Sequence, residues 1–201
     1  MIDKDCLTKE WLENSILKLK TQNNSIDIQL LEKTVNALYL LECLIKADIK
    51  FIFKGGTSLV LLLNKIKRFS IDIDIIIENE LSNIENILLN LIEDSKFFTR
   101  YEENLRPGSA SDRMNLKHYK FFYISLLDNF EKYVLLDIAY EKNLYPKIMK
   151  KEIDCFLLKT SQDVYEVNVP SIESILGDKL TVVAPNTTRN KLWWLQRIRT
   201  Y

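Results

Sequence analysis

The run "SIDIDIII" at residues 70–77 places the tightest limit on how this chain can fold. Read as a strand, it sends alternate side chains to opposite faces, so Asp72 and Asp74 share one face roughly 7 Å apart. Aspartate is a poor strand former, and two like charges on one face repel. The pair therefore needs compensation from outside the strand. Just upstream, "FIFKGGTSLVLLLNKI" reads as a short apolar strand, a Gly-Gly break and a helix. A strand–glycine–helix–strand order calls for a sheet with helices packed on it.

The remaining sequence agrees with such a fold. A length of 201 residues suggests one domain, and 47% hydrophobic content is enough for a sizeable core. Formal net charge is zero and the pI is near 6.6, so no bulk attraction to nucleic acid or acidic membranes follows. The longest apolar run, "LVLLL" at 59–63, is far too short to span a bilayer. The charged start "MIDKDCLTKE" lacks the apolar core of a signal peptide, and three scattered cysteines argue for reduced thiols in a cytoplasmic protein. With one histidine, His118, neither a multi-histidine metal site nor a Ser-His-Asp arrangement is easily built. Chemistry run by carboxylates and lysines is the natural expectation.

Along the chain, helices are expected at about 9–20, capped by Thr8, and at 26–47, with Ile28, Leu31, Val35, Leu38, Leu41 and Ile45 at helical spacing. A strand is expected at 50–53. Ser82 and Glu85 suggest a capping box opening the helix in "ELSNIENILLNLIED". "KHYKFFYISLL" and "KYVLLDIAYE" flank Asp128-Asn129 as a hairpin, and "CFLLKT" and "VYEVNV" are read as further strands. "PSIESILGDKLTVVA" is a helix capped by Ser171, with Ile172, Ile175, Leu176 and Val183 as its apolar stripe. The expected fold class is α/β (α+β), a small mixed β-sheet flanked by helices. The expected divisions are N-terminal helices at 1–50, a core at 51–185 and a short tail at 186–201.

Two glycines at a helix start allow close approach of phosphate oxygens to free backbone N–H groups. The spacing fits neither a Walker A loop nor a Rossmann turn. The next strand delivers two carboxylates beside this cradle, and phosphates tolerate them only with a divalent cation between. All-oxygen ligation of that kind suits Mg²⁺.

"KGGTSL" followed by "RFSIDIDI" resembles the first motif of the nucleotidyltransferase superfamily that includes DNA polymerase β. More closely it resembles the AbiEii/AbiGii toxin family, which typically reads K-G-G-T-x-L and then R-F-S-x-D-[IL]-D. The resemblance runs from about residue 45 to 185. It implies a nucleotidyltransferase fold and transfer of a nucleoside monophosphate from an NTP to an acceptor, often a tRNA 3′ end in these toxins. A cognate antitoxin is the implied protein partner. Carried onto this chain, Asp72 and Asp74 would hold Mg²⁺, and Asp137 in "YVLLDIAY" would be the third carboxylate. Gly55, Gly56, Thr57 and Ser58 would contact the triphosphate, and Lys179 in "GDKL" would neutralise its charge. Arg68 and Lys54 are further cations near the triphosphate.

One departure stands out. The family places a late aspartate beyond the lysine helix, yet from Lys179 to Tyr201 there is no acid, against five Lys or Arg and the pair Trp193-Trp194. This favours one alternative, a catalytically impaired or truncated binding module. The neutral pI favours another, a transferase acting on a small molecule or protein hydroxyl.

Overall fold

A computed structural model describes residues 1–21, 27–63, 70–105, 115–161 and 163–183. Arg68 and the tail beyond Val183, with Trp193 and Trp194, lie outside the described residues.

A 3₁₀ turn at Lys4–Leu7 leads into helices α1 (Lys9–Thr21) and α2 (Ile28–Lys46). Thr8 receives the Trp11 N–H on its hydroxyl at 3.3 Å, and the Asp27 side chain accepts from Gln29 N at 2.8 Å. Strand β1 (Ile52–Lys54) passes directly into α3 (Gly55–Leu62), which begins at the glycines themselves. Then come β2 (Ile73–Ile77), α4 (Ile84–Ser95), β3 (Arg100–Glu103), β4 (Leu116–Ile124) and β5 (Glu131–Tyr140). The chain ends its described part with β6 (Ile148–Glu152), β7 (Glu166–Pro170) and α5 (Ile172–Val183).

The strands form one mixed sheet in the order β3-β4-β5-β2-β1-β7-β6. At its centre β2 runs antiparallel to β1 and parallel to β5, while β1 runs parallel to β7. One face is the core. It buries Ile73, Ile75 and Ile77 of β2, Val134, Leu136 and Ile138 of β5, and Tyr119, Phe121 and Tyr123 of β4. Helices α2 and α4 cover this face, and Tyr39 of α2 joins it through Phe97 and Phe98 to Phe121 and Tyr123. Glu32, fully buried on α2, accepts from Leu126 N at 2.7 Å and from the Ser125 hydroxyl. That carboxylate ties the β4–β5 turn to α2 and so anchors the strand carrying Asp137. Lys54 of β1, Asp74 of β2 and Asp137 of β5 sit on the opposite face.

Four local readings are corrected. Asp72 precedes β2, which begins at Ile73. The Ser82–Glu85 capping box does not form; Asn83 is the N-cap of α4 and makes no side-chain cap bond. "CFLLKT" is not a strand but turns packed beneath the N-terminus, with Asp3 N donating to Lys159 O at 2.9 Å and a single bridge from Thr160 to Ile2. Its leucines are apolar because they are buried there, as Leu157 is. On α5, among the stripe side chains that are described, Ile175 is buried, whereas Ile172 and Leu176 are exposed. Lys179 follows Ile175 by four residues and so shares its side of the helix.

Candidate active site

Register alone assembles the centre. Lys54 stands opposite Asp74, Asp74 opposite Asp137, and Asp137 opposite His118. Four neighbouring strands thus place Lys54, Asp74, Asp137 and His118 in one row across the open face, at strand spacings of roughly 4.8 Å. Asp72 lies two residues before Asp74, just outside the strand, and its charge reaches Asp74.

Asp74 carries the electrostatic cost of this row. Burial, then the charges of Asp137 and Asp72, push its carboxyl up to about 7, against the opposing pull of Lys54 and Lys179. The Lys54 ammonium is shared with Glu141 at 3.2 Å, a part-exposed pair that contributes little to stability. Positive charge is therefore what the site lacks. The donor set is all carboxylate oxygen, which fits a hard divalent cation. Among the described residues no three acidic, histidine or cysteine side chains are already drawn into a closed metal cluster.

Gly55 makes the turn from β1 into α3 at φ 77°, in the left-handed region that glycine tolerates. A Cβ there would stand 2.0 Å from Asp74 Oδ2, so the glycine is also what lets the carboxylate lie against the helix start. At Gly56 a Cβ would stand 2.9 Å from the Ser70 side chain and 3.8 Å from Lys179 Nζ. Lys179, from α5, thus hangs over the glycine turn. The first N–H groups of α3 have no partner within the helix and present the positive end of its dipole there.

The hydroxyls of Thr57 and Ser58 are turned into the protein. Both side chains are buried; Thr57 donates to Asp72 O at 2.7 Å and Ser58 to Gly55 O at 2.8 Å. Thr57 thereby pins the helix start to the aspartate segment, and the surface offered to a ligand is the glycine backbone. Beside it lies a cavity of about 250 Å³ lined by Lys54, Ile76, Glu141, Tyr145 and Asp178. A larger cavity, about 460 Å³, opens where Lys50 and Phe51 enter β1, away from the carboxylate row.

His118 is the residue that sequence reasoning missed. Its Nδ1 lies 2.7 Å from Asp137 Oδ1, so the ring donates to the carboxylate and fixes one of its oxygens. The signal was the hairpin register: a turn centred between Leu127 and Asp128 sets His118 opposite Asp137. Replacing it as His118→Leu should keep the fold, since the site is buried, yet lower nucleotide transfer about 10- to 100-fold, the usual cost of freeing a ligand from its orienting partner. His118→Asn, which restores an N–H donor, should recover part of the loss. Equal steady-state turnover by His118→Leu and the parent would show that Asp137 needs no such support.

Comparison with known proteins supplies the family. The family described as "Nucleotidyl transferase AbiEii toxin, Type IV TA system" matches residues 39–198. Among solved structures, JHP933 from Helicobacter pylori is similar with 20% identity and a TM-score of 0.50 over 79% of this chain. A second H. pylori protein, described as a candidate nucleotidyltransferase, is similar with 20% identity and a TM-score of 0.47 over 75% of this chain. The chain spans 59% of the length of each. No curated protein matches. The match spans most of the chain, including the glycine turn, Asp74, Asp137 and Lys179, and the chain belongs to the AbiEii nucleotidyltransferase toxins of type IV toxin–antitoxin systems.

Proposed function

We propose that this chain transfers a nucleoside monophosphate from Mg²⁺–NTP to the 3′ end of a tRNA, as the toxin of a pair whose antitoxin restrains it. The observation that carries the reading is the placement of Asp74 between Asp137 and the glycine turn under Lys179. Anionic phosphate on one side and paired carboxylates on the other leave a place only for a cation. No helix among the described residues is long and apolar enough to cross a membrane, and a cytoplasmic site of action belongs to the same proposal.

The chain's own residues divide the work. The backbone of Gly55 and Gly56, at the N-terminus of α3, receives the triphosphate, and Lys179 neutralises the charge that grows on the leaving pyrophosphate. Arg68 is a further proposed triphosphate contact. Thr57 and Ser58 shape the turn from within. The cavity beside Lys54 is below the usual size for a whole ligand and suits the sugar or base. Asp72, Asp74 and Asp137 would hold Mg²⁺, which supplies positive charge between substrate phosphates and carboxylates when bound. The acceptor hydroxyl oxygen forms a bond to the α-phosphorus, the bond from that phosphorus to the bridging oxygen breaks, and pyrophosphate leaves. Asp137, held by His118, is placed to take the hydroxyl proton.

Incubation with each NTP labelled at the α-phosphate, Mg²⁺ and total tRNA tests the reading. Label is expected on tRNA, with none from γ-labelled NTP and none with EDTA. Label on a protein or small molecule instead would redirect the acceptor, and label nowhere would favour a binding module. Calorimetry provides the companion measurement: NTP affinity equal in Mg²⁺ and in EDTA would count decisively against the site as assigned.

A further inference from the structure

The open sheet face continues past Asp137 into a strip of a different kind. Along β5, Tyr133, Leu135 and Asp137 share this face at steps of roughly 7 Å. On β4 the matching residues are Phe122, opposite Tyr133, and Lys120, opposite Leu135. Tyr133 is 41% exposed and pairs with Phe122 at a ring separation of 5.8 Å. Lys120 Nζ lies 5.1 Å from the Tyr133 ring centroid. The Arg100 guanidinium covers the far side of Phe122 at 3.6 Å, held there by Glu131 and Glu102. The described helices α2 and α4 pack on the other face, where the core lies.

Position decides what such a strip is for. The glycine turn and Lys179 stand on the β1 side of Asp74, so the triphosphate enters from there. Asp137 lies on the other side, toward β4, and an acceptor hydroxyl must arrive from that direction. Whatever precedes the hydroxyl in an acceptor then runs over Lys120 and Tyr133. We propose that this β4–β5 strip is the acceptor platform, and that it binds the single-stranded 3′ end of an RNA by stacking a base on Tyr133 while Lys120 meets a phosphate. The proposal rests on the nucleotidyltransferase reading above.

The chemistry favours a single strand. A part-exposed aromatic ring accepts any base, and the Lys120 ammonium, which lies over the Tyr133 ring, can swing aside to meet a phosphate as the base stacks. Arg100 is already neutralised by two glutamates, and Glu102 also stands across from Lys120. The strip therefore offers little net positive charge, which agrees with the zero formal charge of the chain. Binding here is carried by stacking more than by counterion release. The dependence of log K on log salt should accordingly be shallow, with a slope of magnitude about 1 or less, one phosphate contributing ~0.7. A tract of lysines would give a steeper slope.

The test uses a fluorescent eight-nucleotide RNA with a free 3′ hydroxyl, titrated with the parent, Tyr133→Ala, Tyr133→Phe and Lys120→Ala. Tyr133→Ala should weaken RNA binding by about 5- to 150-fold, the usual range for loss of one stacked base. Tyr133→Phe keeps the ring and should bind within about twofold of the parent, a ratio worth under ~0.5 kcal/mol. Lys120→Ala should flatten the salt slope further. Mg²⁺–NTP affinity, measured on the same samples, should not move in any variant. Tyr133→Ala with a lowered melting temperature and unchanged RNA affinity would make the ring pair purely structural and overturn the proposal. So would a parent that binds Mg²⁺–NTP but not the RNA, or one that binds a duplex equally well. Loss of Mg²⁺–NTP binding by the parent would instead strike the underlying reading.

Discussion

Asp74→Asn should abolish transfer and yet make the protein more stable above neutral pH. The loss of activity follows from removing the central carboxylate of the row, and on the scale of one lost electrostatic contact it should reach at least about 10²–10³-fold. The gain in stability follows from the burial and like charges that raise its folded-state carboxyl to about 7, while an unfolded aspartate titrates near 3.9. Between those values the folded state binds more protons than the unfolded, so stability falls as pH rises from about 4 to 7. The full shift would correspond to roughly 4 kcal/mol, but Asp74 keeps some contact with water, and about 1–3 kcal/mol is the sounder expectation. The asparagine variant loses that slope, and at pH 8 should melt several degrees higher, at about 2–4 °C per kcal/mol for a chain of this size. Mg²⁺ should narrow the gap by stabilising only the parent, because binding to the folded state alone raises stability. Urea unfolding at pH 4, 6 and 8, with and without Mg²⁺, separates the terms. A variant that is less stable at pH 8 while fully active would make the aspartate a structural residue.

The sequence revealed this centre unevenly, for reasons that lie in particular elements. Gly55-Gly56 and the Asp72–Asp74 pair were legible because each breaks a local rule, a glycine pair in an apolar run and acids in a strand, and broken rules collect at functional sites. The β4–β5 hairpin was legible from its alternating aromatics and its Asp128-Asn129 turn, and its register sets His118 opposite Asp137, while the parallel β2–β5 pairing brings Asp137 beside Asp74. The two edge strands were not. β3 reads "RYEE" and β6 "IMKKE", short and polar, as exposed edges often are, so no alternation announces them. "CFLLKT" erred in the opposite direction, since burial under the N-terminal turn demands apolar residues as much as a strand does. The inward bonds of the Thr57 and Ser58 hydroxyls were not legible, because they depend on carbonyls that the fold brings to the helix start. His118 was set aside because a lone histidine supports few known metal or triad arrangements. A single hydrogen bond to a carboxylate needs only one.

Gly55→Ala should cost both fold and activity, and the two losses should share one cause. Placing a side chain at φ 77° costs roughly 1–2 kcal/mol by itself. The new Cβ would also meet Asp74 Oδ2 at 2.0 Å and Cγ at 2.8 Å, distances that force the β1–α3 turn or the carboxylate to move. Together these should destabilise the protein by about 2–4 kcal/mol. A displacement of about 1 Å at a reacting centre can lower turnover a hundredfold, so transfer should fall by at least that much. Gly177→Ala is the natural control: it lies inside α5, meets nothing within 4 Å, and should stabilise the helix by about 0.5–1 kcal/mol without reaching Lys179. The decisive comparison is a double mutant. If the strain at Gly55 arises against the Asp74 carboxylate, then Gly55→Ala should cost less stability in an Asp74→Ala background than in the parent, by about 0.5–3 kcal/mol of coupling. The relief is incomplete because Asp74 Cβ remains 3.0 Å from the added methyl. Strictly additive losses would place the strain in the backbone alone and would mean that the glycine is kept for its dihedral angle, not for the carboxylate that rests against it.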